Sequence, residues 1–154
     1  MSRSCLLCGV GGQGVVLASR LIAYAAMQQG DFVRTTETIG MAQRGGSVVS
    51  HVRAGSEVHS PIIPAGTADV IIAFEPGEAV RCLPYLKEGG MVVTNRQIVK
   101  PVSASLGGSI YNAEEMLDYL QKKAGRVIII DGENICREAG SPKVLNVALL
   151  GAVA

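Results

Sequence analysis

Apolar and polar positions follow two rhythms along this chain. Ser4–Gly9 is short and continuously apolar, as expected of a strand buried on both faces. From Gly12 to about Gln29 the period lengthens: Val15, Ala18, Ser19, Ile22, Ala25 and Ala26 recur at spacings of three and four. That spacing predicts a helix whose small residues let it lie close to a sheet, with Gly30 as its terminator. Phe32–Thr36 predicts a second strand. In Ser47–Arg53, Val48, Ser50 and Val52 alternate with Val49, His51 and Arg53, a strand of period two. Ala54-Gly55-Ser56 reads as a turn and Glu57–Ile63 as the antiparallel hairpin partner, ending at Pro64. Ala68–Phe74, Met91–Thr94 and Arg126–Ile130 predict further strands, and Ser109–Tyr111 a short one.

Helices are expected over Glu78–Cys82 behind Pro76, from an Asn112 cap through Lys123, over Glu133–Glu138, and over Lys143–Ala152 behind Ser141-Pro142. Thr38–Ser47 and 98–108 carry neither rhythm. Alternating strand and helix define the fold class: α/β, a three-layer Rossmann-like domain with a mixed, mainly parallel sheet. The last predicted helix stays apolar through Leu149–Ala154, so it is expected either to pack against another chain or to continue.

Composition narrows the field. A chain of 154 residues with 48% hydrophobic and 18% charged residues has the makings of one core. Aromatics are 4% and Trp is absent, so Val, Ile, Leu and Ala fill the interior. The net charge of +1 and the scattered Lys and Arg speak against a nucleic-acid partner. No apolar stretch approaches the roughly 18 residues of a membrane span, and no charged-then-apolar leader opens the chain. The expectation is a cytoplasmic protein with reduced thiols and no membrane partner.

Candidate chemistry begins at Gly9-Val10-Gly11-Gly12-Gln13-Gly14, which joins the first strand to the first helix. Such a turn brings backbone N–H groups to an anion at a helix N-terminus. It equally serves close packing of helix on sheet, and the pattern leaves both readings open. Glu37 is the available ribose-binding acid, later than the usual interval of about 20 residues. Cys5-x-x-Cys8 has no second pair, Cys82 and Cys136 stand alone, and Cys5 and Cys8 fall on opposite strand faces; core thiols are expected, and no metal site. His51 and His59 lack triad partners and read as structural. Glu75, at a strand end, serves either a ligand or the cap of the Pro76 helix, and Asp131-Gly132 reads as a turn. No catalytic constellation is visible.

A second motif adds specificity. Met41-Ala42-Gln43-Arg44-Gly45-Gly46-Ser47 offers a guanidinium, an amide and backbone donors together. With Gly11-Gly12-Gln13-Gly14, and with Glu37, Gly40, Val48, Ser50, His51 and Arg53, it resembles the gamma subunit of the 2-oxoacid:ferredoxin oxidoreductases, the pyruvate, 2-oxoglutarate and indolepyruvate group. Ala68-Asp69, Phe74-Glu75, Glu78-Ala79 and Asn146–Gly151 extend the likeness over nearly the whole chain, and the nearest likeness is to the beta subunit of the indolepyruvate enzyme. The resemblance implies a subunit, not a complete enzyme, for oxidative decarboxylation of a 2-oxoacid to acyl-CoA with electrons passed to ferredoxin. It places thiamine diphosphate and the iron–sulfur clusters on partner subunits, with no cofactor held firmly here. It implies that Gly11, Gly12, Gln13 and Gly14, with Gln43, Arg44 and Gly45, meet coenzyme A phosphates or the partner subunit, Arg44 supplying the charge. It further implies one gamma-type domain over 1–154 that lacks its C-terminal end. The rival is a stand-alone Rossmann-like nucleotide-binding module; a third reading is a scaffold in which the glycine turn only packs.

Overall fold

The computed structural model describes residues 2–39, 46–100 and 111–154. Six strands form one sheet: β1 (Arg3–Val10), β2 (Phe32–Ile39), β3 (Ser47–Gly55), β4 (Ala68–Ala73), β5 (Leu86–Asn95) and β6 (Arg126–Ile130). Their order is β2-β3-β1-β4-β5-β6. β1, β4, β5 and β6 run parallel, and β3 is antiparallel to both β1 and β2. The sheet is therefore mixed and mainly parallel, as expected.

Helices cover both faces, because the central strands are apolar on both. Leu6 and Cys8 of β1, with Ile71 and Val92, face α2 (Pro76–Cys82) and α3 (Ala113–Lys123), which contribute Ala79, Cys82, Leu117 and Leu120. Leu7, Ile72 and Val93 face α1 (Val15–Gln28) and α5 (Leu145–Gly151), which contribute Val15, Ala18 and Leu149. α4 (Gly132–Glu138) packs on α5. Asn112 accepts from Glu114 N and caps α3, as its sequence position predicts. Asp131 does the same for α4 through Asn134 N, which draws its pKa below the usual carboxylate range.

The predicted hairpin over Glu57–Ile63 is not formed. β3 instead takes β2 as its outer neighbour and β1 as its inner one, in register from Gly9↔Val48 to Arg3↔Ala54. The stretch after Gly55 turns onto the face of the sheet that carries Leu6 and Ile71 without forming a ladder, held by side chains of β3. Arg53 Nη1 donates to the Ser60 and Ile62 carbonyls, and His51 Nδ1 accepts from Ile63 N at 3.1 Å. Pro61 and Pro64 remove two of the N–H groups a strand needs, so this binding by side chains prevails. The predicted Lys143–Ala152 helix begins instead as a 3-10 turn over Pro142–Val144 and is α-helical only from Leu145. Of the predicted strand Ser109–Tyr111, residues 109 and 110 lie outside the described residues.

Among the described residues no helix is long and apolar enough to cross a membrane, and no group of three or more His, Cys, Asp or Glu side chains is placed to hold a metal. Cys5 and Cys8 fall on opposite faces, as expected. Burial, aided by Asp69, pushes the Cys5 thiol up to about 12. Cys82 does not stand alone: it meets Cys8 inside the core, and their hydrogen bond together with burial raises the Cys8 pKa well above the ordinary thiol value.

Candidate functional site

Strand order locates the site. From β1 the chain moves to one side of the sheet (β3, β2), and it then continues on the other (β4, β5, β6). The two halves diverge between β1 and β4, and a crevice outside the carboxyl ends of these strands is where open α/β sheets seat ligands. Here that edge carries Gly9–Gly14 after β1, Phe74-Glu75 after β4 and Ser47 at the start of β3.

The glycine turn is shaped by contacts that leave no room for side chains. A Cβ on Gly9 would lie 2.7 Å from Gln13 Oε1 and 2.8 Å from both Phe74 Cβ and Val15 Cγ2, so the strand end can touch its helix only as glycine. Gly14 is the N-cap of α1 with φ 86° and ψ 23°, a left-handed conformation, and gives no side-chain cap. The first turn of α1 also lacks an acidic residue, so its N–H groups and the positive end of its dipole are not neutralised by a side chain. Above Gly12 (φ 95°) the space is open. Gln13 is turned inward: its Oε1 accepts from Val10 N at 2.8 Å and staples the turn to the end of β1.

Gln43, Arg44 and Gly45 lie outside the described residues. Their neighbour Gly46 does not, and its carbonyl accepts from Gly11 N at 2.9 Å. Val10 and Ser47 are also register partners. The far end of the second motif is therefore fastened to the glycine turn.

α2 supplies a second set of groups, in which Ser47, Glu75 and Glu78 were marked by the sequence and Arg81 was not. Ser47 Oγ donates to Glu78 Oε2 at 2.7 Å, and Arg81 binds the same carboxylate from Nη2 at 2.5 Å and from Nε at 3.1 Å. Arg81 Nη2 also reaches Ser47 Oγ. The i, i+3 spacing of Glu78 and Arg81 was visible in the sequence; the third member, Ser47, is 31 residues from Glu78 and comes only with the fold. One turn earlier, Glu75 is fully buried. Its Oε1 accepts from Glu78 N at 2.6 Å and caps α2, and the Tyr111 hydroxyl lies 3.1 Å from both carboxylate oxygens. Burial raises the Glu75 pKa; the backbone N–H groups of Glu78 and Gly77 and the Tyr111 hydroxyl oppose that shift without cancelling it. Burial first, then the charge of Glu75, raises the Tyr111 pKa too, so its hydroxyl stays a donor. A Cβ on Gly77 would overlap that hydroxyl. Across the turn, the buried Asn146 of α5 packs on Gly14, its Nδ2 lying 3.3 Å from where a Cβ would stand.

Glu37 is not placed to read a ribose. It lies on β2, paired with Ser50 of β3, and β3 lies between β2 and β1. Two strand spacings, about 9.5 Å, therefore separate its strand from the one that carries the glycine turn. A cavity of about 630 Å³ opens at the opposite end of α1 between Arg3, Cys5, Leu21, Ala25 and Val153. Its lining is mostly apolar and it faces away from the glycine turn. The carboxyl edge brings together backbone donors at a helix start without a side-chain cap, the buried Glu75 carboxyl and the Glu78–Arg81 ion pair, with no nucleophile–base pair among the described residues.

Comparison with known proteins gives a consistent picture. The family model described as "Pyruvate ferredoxin/flavodoxin oxidoreductase" matches residues 4–154. The chain is 42% identical over 150 residues to the indolepyruvate oxidoreductase subunit IorB of Thermococcus kodakarensis, covering 96% of this chain and 74% of that protein. It is 30% identical over 155 residues to the pyruvate/ketoisovalerate oxidoreductases common subunit gamma of the same organism, covering 95% and 73%. In fold it is similar to the 2-oxoglutarate:ferredoxin oxidoreductase of Magnetococcus marinus, solved with 2-oxoglutarate, coenzyme A and succinyl-CoA bound. That likeness has a TM-score of 0.69 at 24% identity, over 99% of this chain and 24% of that one.

Proposed function

This chain belongs to the pyruvate ferredoxin/flavodoxin oxidoreductase family, and from that premise we propose that it is the gamma-type subunit of a 2-oxoacid:ferredoxin oxidoreductase that helps hold coenzyme A. The reaction is oxidative decarboxylation of a 2-oxoacid, of the indolepyruvate or pyruvate kind, to acyl-CoA with electrons passed to ferredoxin. Thiamine diphosphate and the iron–sulfur clusters belong to partner subunits, and the chain works in the cytoplasm.

One observation carries the reading: the 2.9 Å bond from Gly11 N to Gly46 O ties the glycine turn to the motif that bears Arg44. Coenzyme A supplies the thiol that accepts the acyl group; the residues here bind and orient its anionic part. N–H groups at the start of α1, with Gly11, Gly12 and Gly14 keeping the approach clear, suit a pyrophosphate. Gln13 shapes the turn by fixing Val10 N. Gln43, Arg44 and Gly45 add an amide, a guanidinium able to meet two phosphate oxygens, and a small residue for close approach.

The test is reconstitution. Adding the chain to its thiamine-diphosphate and iron–sulfur partners is expected to restore CoA-dependent reduction of ferredoxin by a 2-oxoacid, and the chain alone is expected to be inactive. Full activity of the partners without it, or tight binding of NAD(P) or FAD by the chain alone, would defeat the proposal.

A further inference from the structure

We propose that Asn146 of α5 donates a hydrogen bond to the pyrophosphate of coenzyme A, an inference that rests on the coenzyme role proposed above and adds to it a residue from the far end of the chain. The start of α1 is a cluster of donors. Gly14 is the N-cap, and the first main-chain bond of the helix runs from Ala18 N to Gly14 O at 3.0 Å. The N–H groups of Val15, Val16 and Leu17 therefore lie beyond the reach of any carbonyl of their own helix. A serine or aspartate at the N-cap would offer them a side-chain oxygen. Glycine offers none. The space such a side chain would take is filled from outside the helix: Asn146 Nδ2 lies 3.3 Å from where a Gly14 Cβ would stand.

That nitrogen cannot act as the missing cap, because it is a donor like the N–H groups beside it. Its orientation is fixed. Asn146 Oδ1 accepts from Val147 N at 2.8 Å, and a flipped amide would set donor against donor. Asn146 is 5% exposed, and among the described residues no acceptor lies within hydrogen-bond distance of Nδ2. Donors held away from water without an acceptor are unfavourable. Here side-chain and main-chain donors share one helix start, with no acidic residue in its first turn. A phosphoryl group supplies what they lack: oxygens for Nδ2 and for the helix N–H groups together, and a charge matched to the helix dipole. The pyrophosphate is the part of the coenzyme that a glycine turn between strand and helix seats. An amide suits the position where a carboxylate would not, since it brings a donor to the phosphate without a like charge.

The test is titration of coenzyme A into the reconstituted complex carrying Asn146→Asp or Asn146→Ala. Asn146→Asp keeps the size of the side chain and the oxygen that Val147 N needs while replacing the donor; Asn146→Ala removes the amide without adding charge. Asn146→Asp is expected to raise Kd about a hundredfold and Asn146→Ala about tenfold, with the KM for the 2-oxoacid and kcat at saturating coenzyme A unchanged. The same losses are expected with dephospho-CoA, which keeps the pyrophosphate and lacks the 3′-phosphate. If both variants bind coenzyme A as the wild type does, Asn146 is not a ligand, while the coenzyme reading stands. A loss that vanishes with dephospho-CoA moves Asn146 to the 3′-phosphate and overturns the assignment. Lower thermal stability of the complex with unchanged Kd leaves Asn146 only its packing on Gly14, and overturns it too. If the wild-type complex takes up no coenzyme A, the coenzyme reading fails and this inference with it.

Discussion

At the scale of single residues, the site depends on a few positions where backbone geometry or burial leaves one solution. Gly14 must adopt φ 86° with Asn146 packed against it. Gly14→Ala is therefore expected to lower stability by about 1–2 kcal/mol, the cost of a left-handed non-glycine residue, with crowding at Asn146 added. Gly12→Ala meets the same backbone penalty but open space, so urea denaturation should rank it as the milder variant. Glu75 makes a prediction in pH. Its folded pKa lies above the ordinary carboxylate value of 4.5, chiefly through burial. The stability it contributes is fully present below that ordinary value and is lost as pH rises through the raised one. Glu75→Gln removes this titration, so the difference in unfolding free energy between wild type and variant should shift against the wild type from about pH 4.5 upward. A pH-independent difference would show that Glu75 is ionised as easily in the folded chain as in the unfolded one.

At the scale of elements, the positions of β1, β4 and β6, the Asn112 cap of α3 and the glycine turn were all legible, because each rests on local periodicity or local turn chemistry. The partner of β3 was not. A turn-like Ala54-Gly55-Ser56 followed by Val58, Ile62 and Ile63 imitates a hairpin, whereas the decisive bonds come from His51 and Arg53, whose reach to residues 60–63 leaves no periodic mark. The α2 clasp was illegible for the same reason, since Ser47 and Tyr111 meet Glu78 and Glu75 across 31 and 36 residues. Cys82 likewise looked solitary until β1 and α2 were packed together. His51 gives the element-scale prediction. It accepts from Ile63 N through Nδ1, a bond that only the neutral ring makes, and burial lowers its pKa from 6.5. Its contribution is present above pH 6.5 and is lost as pH falls through the lowered value. In His51→Gln, which keeps an acceptor without a titrating proton, the loss of stability between neutral and mildly acidic pH should be smaller than in wild type. Equal losses in the two proteins would remove His51 as the cause.

At the scale of the whole molecule, the fold is a device for bringing distant sequence to one edge. Inserting β3 between β1 and β2 moves Glu37 away from the glycine turn and brings Gly46 onto it. That exchange distinguishes this sheet from a nucleotide-binding one in which β1 and β2 are neighbours, and it puts Gly46, in place of a ribose acid, against the glycine turn. The most direct measurement is calorimetric titration of coenzyme A into the reconstituted complex, comparing the wild-type chain with Arg44→Ala and Gly14→Ala. Arg44→Ala is expected to weaken binding by about ten- to a hundredfold, as loss of a charge-assisted phosphate contact should, and Gly14→Ala to weaken it as well. Unchanged affinity in both variants would contradict the assignment of this edge to the cofactor.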